Sequence, residues 1–275
     1  LDLKKKNLSL AQTLMYMKYD IAYFLPQDRF RYLSNEGKPN FSTTAIISES
    51  FNVMGSQPLI FVGYCVMTLF ISGTASSLAS FIPAVGNVAS MFVSAALFGG
   101  FLAGAHHLRL TGTTNLDIFF SAFKRILPLG MVSLLTTLFG TLLILPILGV
   151  AALTILMLFG FGNLEGLVEE PLFWAISIFS VLLSVFLYFC VATIFMLAAP
   201  IVLFSETDFW EAMMISKAIV TRNFFGFGFF NFMIGLVAVS GMLLFGIGVI
   251  YTLPTAYIAY YILYGRLVQQ NDNFA

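Results

Sequence analysis

Apolar and polar positions follow the same order three times along the chain. A short stretch with helical spacing comes first, then an unbroken apolar run, a break at proline or glycine, and a second apolar run. The copy beginning at Asn115 is the clearest. Leu116, Phe119, Phe120, Phe123, Ile126 and Leu127 share one helical face, with Asp117, Ser121, Lys124 and Arg125 toward the other. Pro128 then opens a run without ionisable residues to Leu145, closed by Pro146. An amphipathic, basic piece feeding an apolar span is how a chain lies on a membrane and then enters it.

The other two copies are looser. Ser42 to Met54 places Ile46, Ile47, Val53 and Met54 on an apolar side and Ser48, Glu49 and Asn52 elsewhere. Pro58 to about Ser77 is its span, Ala75 to Gly86 the turn and Val88–Ala105 the return, stopped by His106, His107 and Arg109. The third copy starts at Asp208, which with Glu211 resembles a capping pair. Trp210, Met213, Met214 and Val220 form its apolar side. Phe224 to Phe245 is the span, Gly246 and Gly248 make the turn, and Ile250 to Leu267 returns through Pro254. Ser50, Ser121 and Ser216 hold similar places in the three amphipathic pieces. The repeat is architectural rather than literal.

Only 9% of residues are charged and 59% are hydrophobic, against about 25% charged in soluble domains. The expected fold is therefore all-α: a polytopic transmembrane helical bundle of six spans in three hairpins, each preceded by an interfacial amphipathic helix. Residues 1–40 carry seven basic residues and read as a cytoplasmic extension, with repeats at 41–110, 111–204 and 205–275. Two apolar runs are over-long. Leu127–Phe161 would reach roughly 50 Å as a helix, beyond the ~30 Å hydrocarbon core, and Leu172–Phe204 matches it. Both are expected as long, paired helices rising past the outer surface near Glu165. Six spans put all 13 Lys and Arg on one side, and a seventh crossing would scatter them. The basic-inside bias selects six, with both termini cytoplasmic in a bacterial inner membrane.

Candidate chemistry is sparse. No ionisable residue sits mid-span, which removes most of the case for ion coupling. His106 and His107 are adjacent and point about 100° apart, so they cannot clamp a metal as an i, i+4 pair does. Glu165, Glu169 and Glu170 read as a solvated outer loop. Cys65 and Cys190 read as small hydrophobes inside apolar runs. Ser133, Thr137 and Thr141 form one hydroxyl stripe and Ser177, Ser180 and Ser184 another. They suit helix packing, or else a lipid or solute path. Gly100 and Gly104 make a GxxxG helix-contact pattern. Tyr257, Tyr260, Tyr261 and Tyr264 share a face fit for an interface belt, inter-helix packing or a ligand wall. No nucleophile–base pairing, phosphate loop or metal spacing is present, so neither an enzyme nor a cofactor is expected, and no nucleic-acid partner.

Ala212-Met-Met-Ile-Ser216, Asn223-Phe-Phe-Gly226, Gly246-Ile-Gly248 and Pro254 before Tyr257 and Tyr260 resemble a broad group of bacterial membrane proteins. These repeat an amphipathic helix and a hairpin, and some are likened to a glycerophosphodiester phosphodiesterase membrane domain. The resemblance covers roughly residues 41–268. It implies membrane location and fold and carries over no catalytic residue, because in that group the hydrolase site belongs to a separate soluble domain. The expected function is non-catalytic: an accessory subunit or membrane organiser acting through lipid and protein contacts. The alternative is a lipid or hydrophobic-solute handler with a cavity between the hairpins.

Overall fold

The computed structural model describes residues 39–81, 83–159, 170–205, 207–243 and 246–272. Every regular element among them is helical. The N-terminal extension before Pro39, and Glu165 and Glu169, lie outside the described residues.

The first amphipathic helix, α1 (Thr43–Ser56), is capped by Ser42, whose hydroxyl accepts from the Ala45 amide. Hairpin one is α2 (Pro58–Ala79) and α3 (Pro83–Thr111), with Pro58 at the first helical position. The second amphipathic segment is α4 (Leu116–Phe120), capped by Asn115. A 3₁₀ stretch, Ser121–Arg125, carries it directly into α5 (Ile126–Phe159). Hairpin two pairs α5 with α6 (Pro171–Ile194), followed by a short α7 (Ala198–Phe204). The third amphipathic helix is α8 (Phe209–Val220), joined by a 3₁₀ turn to α9 (Phe224–Ser240). Asp208 stands at its N-cap, but the carboxylate makes no capping bond. α10 (Val249–Asp272) completes hairpin three. Its turn uses Gly246 at φ 79° and a close approach of Gly241 to Gly248 that leaves no room for a Cβ.

Among the described residues, five helical segments are long and apolar enough to cross a membrane, where the sequence suggested six. α10 has the length but falls outside those five, because five tyrosines lower its hydropathy. Its tyrosines are tolerable because it is the most enclosed long helix, with Ala256, Ile258, Ala259, Tyr261, Ile262, Leu263, Tyr264 and Leu267 all buried. The over-long runs resolve differently from one another. α5 is a continuous helix of 34 residues, with Pro146 inside it. That is about 51 Å, as expected. The run from Leu172 is not one helix. It breaks at residues 195–197, before Pro200, and its last seven residues are core rather than span: six of the seven in α7 are buried.

The break is held by Ser216 of α8. Its hydroxyl donates to the Ile194 carbonyl at 2.7 Å and accepts from the Leu197 amide at 3.2 Å. Ser50 and Ser121, which looked equivalent in sequence, only bond the carbonyl three residues back, at Ile47 and Ile118.

Each amphipathic segment docks on the hairpin that precedes it, and the first docks on the last. α4 and its 3₁₀ extension pack on α3, α8 packs on α7, and α1 packs along α10. The buried faces are Phe119 and Ala122, then Ala212, Met213, Ile215, Ser216, Ile219 and Val220, then Ile46, Ser50 and Met54. The helices α3 and α10 and the short α7 that follows hairpin two also touch one another at the centre. The result is a closed, three-part interlock.

The GxxxG pattern finds its purpose here. Gly100 lies against the Tyr64 hydroxyl and the Phe119 carbonyl, and Gly104 lies against the Phe119 ring, with no space for a methyl at either. Gly149, on the exposed part of α5, has nothing near it. We expect Gly104→Ala to cost about 1–3 kcal/mol through overpacking, and Gly149→Ala to be neutral or slightly stabilising through helix propensity. Thermal melting of the two purified variants checks this. Equal melting temperatures would remove the Phe119 contact as a structural support.

Candidate functional site

At the meeting point of α3, α7 and α10, each helix contributes one ring. His106, Phe204 and Tyr261 form a triangle with centroid separations of 4.9, 5.6 and 5.7 Å. Tyr264 stacks on Phe204 at 5.5 Å. The His106 Nδ1 and the Tyr261 hydroxyl lie 3.2 Å apart. A second aromatic layer sits one to two turns away, where Tyr257 meets Phe98 at 5.0 Å and Phe101 at 5.2 Å. These rings pack where α3, α7 and α10 meet.

The tyrosine face is thus inter-helix packing, one of the roles its spacing allowed. Tyr260 adds a polar link. Its hydroxyl donates to Asn231 Oδ1 at 2.6 Å, and Asn231 Nδ2 donates to Thr193 Oγ1 at 3.0 Å. One chain of hydrogen bonds therefore ties α10 to α9 and α6. Asn231 escaped the sequence reading, although it is the one asparagine in the apolar run 224–245.

The hydroxyl stripes lie along the two long helices of hairpin two, α5 and α6. Ser180 and Ser184 are buried, and Ser177 is half-buried. α6 packs chiefly on α5, so small residues there permit close approach; Gly140 of α5 likewise receives the Tyr188 ring. Ser180 bonds back to the Ile176 carbonyl at 2.8 Å. Ser133 and Thr137 are half-buried and Thr141 is exposed. An open groove of about 710 Å³ does exist, between α2 and the start of α10. It is lined by Val66, Leu69, Phe70, Gly73, Leu78 and Ile250 with two hydroxyls, and by none of the stripe residues. Thr74 and Ser77 turn those hydroxyls onto their own backbone.

The charged convergence lies beside the aromatic triangle. Glu49 of α1 accepts from Arg109 of α3 at 2.6 Å and from Arg266 of α10 at 2.7 Å. Sequence reasoning put these residues on one side of the membrane but did not bring them together, since 217 positions separate Glu49 from Arg266. His107 turns away from His106, toward the Thr113 carbonyl at 2.8 Å. Glu170, the described member of the acidic trio, stands at the N-cap of α6. Among the described residues no three His, Cys, Asp or Glu side chains converge as a metal site would require.

Five apolar helical segments of membrane length give the chain the build of a multi-pass helical membrane protein. No family model, no curated protein and no solved structure matches it.

Two hydroxyls separate bonding from packing. Tyr260→Phe breaks the link to Asn231 and should cost about 0.6–1.7 kcal/mol, the range for hydrogen bonds between membrane helices. Ser184, whose buried hydroxyl has no hydrogen-bond partner, should tolerate alanine with a change within about 0.5 kcal/mol. Detergent melts of the two variants compare them directly. A large loss at Ser184 would mean that the stripe does more than fill space.

Proposed function

We propose that this is a non-catalytic inner-membrane protein of six spans in three hairpins, acting through contacts as an accessory subunit or membrane organiser. The observation that carries the reading is the outer part of hairpin two. Leu142, Leu145 and Leu153 of α5, and Ile178, Leu182 and Phe186 of α6, are all exposed. The most apolar stretch of the segment containing α5 has none of its residues buried inside the protein. A smaller set of polar side chains links helices: Glu49 with Arg109 and Arg266, Ser216 with the turn after α6, and Tyr260 with Asn231 and Thr193. A hairpin that turns its apolar side chains outward is suited to lipid and to neighbouring membrane proteins. The protein's partners in this reading are membrane lipids and other membrane subunits.

Extraction of the full chain with its native bilayer, followed by native mass spectrometry, tests the proposal. A fixed complement of protein partner or lipid supports it, and a bare monomer overturns it. The second reading, handling of lipid or hydrophobic solute, is favoured by the open apolar groove between α2 and α10. Transfer of a fluorescent lipid between vesicles by the reconstituted protein would separate it from the first.

Topology has its own test. With both termini cytoplasmic, a cysteine at position 167 in a Cys-free background should react with a thiol reagent added outside the cell, and one at 222 should not. Labelling at 222 but not at 167 would sink the six-span arrangement.

A further inference from the structure

The seam where α1 closes onto α3 and α10 holds more positive charge than its closure requires. One carboxylate, Glu49, gives Oε1 to Arg109 and Oε2 to Arg266. A single arginine would suffice to neutralise it. The second leaves this cluster, among the described residues, with a net charge of one positive unit that is partly open to solvent. The cluster is open enough to receive an anion: side-chain exposures are 35% for Arg109, 31% for Arg266 and 25% for Glu49. Each guanidinium has five N–H donors. The two contacts to Glu49 account for only part of that capacity.

We propose that Arg109 and Arg266 form a phosphate-binding fork, with Glu49 as the group that sets their spacing and moderates their affinity. Planar guanidiniums match the oxygens of a phosphate as a flexible lysine does not, and these two are held on the two oxygens of one carboxylate. α3 ends two residues beyond Arg109, at Thr111, and the ends of spanning helices lie at headgroup depth. Two sources share this chemistry: the phosphodiester of an anionic lipid and free inorganic phosphate. The inference relies on the chain crossing the membrane and is independent of whether the protein acts as a subunit or as an organiser.

The full chain, reconstituted in phosphatidylcholine vesicles containing a trace of spin-labelled phosphatidylglycerol, allows a direct test. Electron paramagnetic resonance gives the preference for the anionic lipid at the protein surface. Arg109→Gln and Arg266→Gln should each lower that preference ~5-fold, the equivalent of one basic residue at an anionic surface. Glu49→Gln should raise it, because the competing carboxylate is gone. Arg266→Lys, which keeps the charge, should fall between wild type and Arg266→Gln. Inorganic phosphate added to the same vesicles distinguishes the sources: displacement of the spin label identifies free phosphate as the occupant, and no displacement identifies the lipid. The Glu49→Gln result decides the matter even if an arginine variant fails to reconstitute. A purely structural clasp predicts an unchanged or lowered preference there, and that outcome overturns the proposal.

Discussion

The docking of each amphipathic segment onto the hairpin before it is the contact on which the bundle depends. Within a bilayer, exclusion from water gives little drive for helix association, because lipid tails are as apolar as leucine side chains. Close packing and directed hydrogen bonds must supply it. The docking sites here use both. Phe119 settles over Gly100 and Gly104, Ser216 binds both sides of the break after α6, and Glu49 spans two arginines. Three unlike solutions occupy three corresponding places. This accounts for a repeat that is clear in architecture and faint in sequence.

The centre of the interlock follows from that arrangement. Once each brace holds its hairpin, α3, α7 and α10 come into mutual contact, and large rings fill the space between them. Aromatic edges and faces pack well without a polar solvent, and the Tyr260 and Tyr261 hydroxyls find partners on neighbouring helices. α10 can therefore carry five tyrosines and remain interior. The outer part of hairpin two has no such enclosure and shows apolar side chains on every side.

Helices were readable from the sequence because apolar runs and their spacing are local properties. The ends at Pro58, Pro171 and Gly246 are set by neighbouring residues, and the structure places them close to where sequence reading did. What was not legible depends on contacts between distant segments. The break at residues 195–197 has no proline in it, and Ser216, about 20 positions later, is what satisfies it. Hydropathy treated Leu172–Phe204 as uniform, although its last turns are enclosed by protein and the rest faces outward. Glu49, Arg109 and Arg266 each resembled an ordinary polar residue at the edge of an apolar segment. Their meeting requires the first repeat to close on the third, which no pairwise spacing reveals.

The order of docking also sets a schedule for assembly. The second and third braces reach hairpins that have already been made, so each can settle soon after it is synthesised. The first cannot, since its hairpin is the last to appear. Between Glu49 and Arg266 lie 217 positions, which at about 5–20 residues per second amounts to roughly 10–40 s of synthesis. Throughout that interval α1 waits for α10, the helix it packs along most extensively, held near the bilayer by the span that follows it. The seam at α10 is thus the last to form, and a growing chain stays an open arc until its final helix enters the membrane.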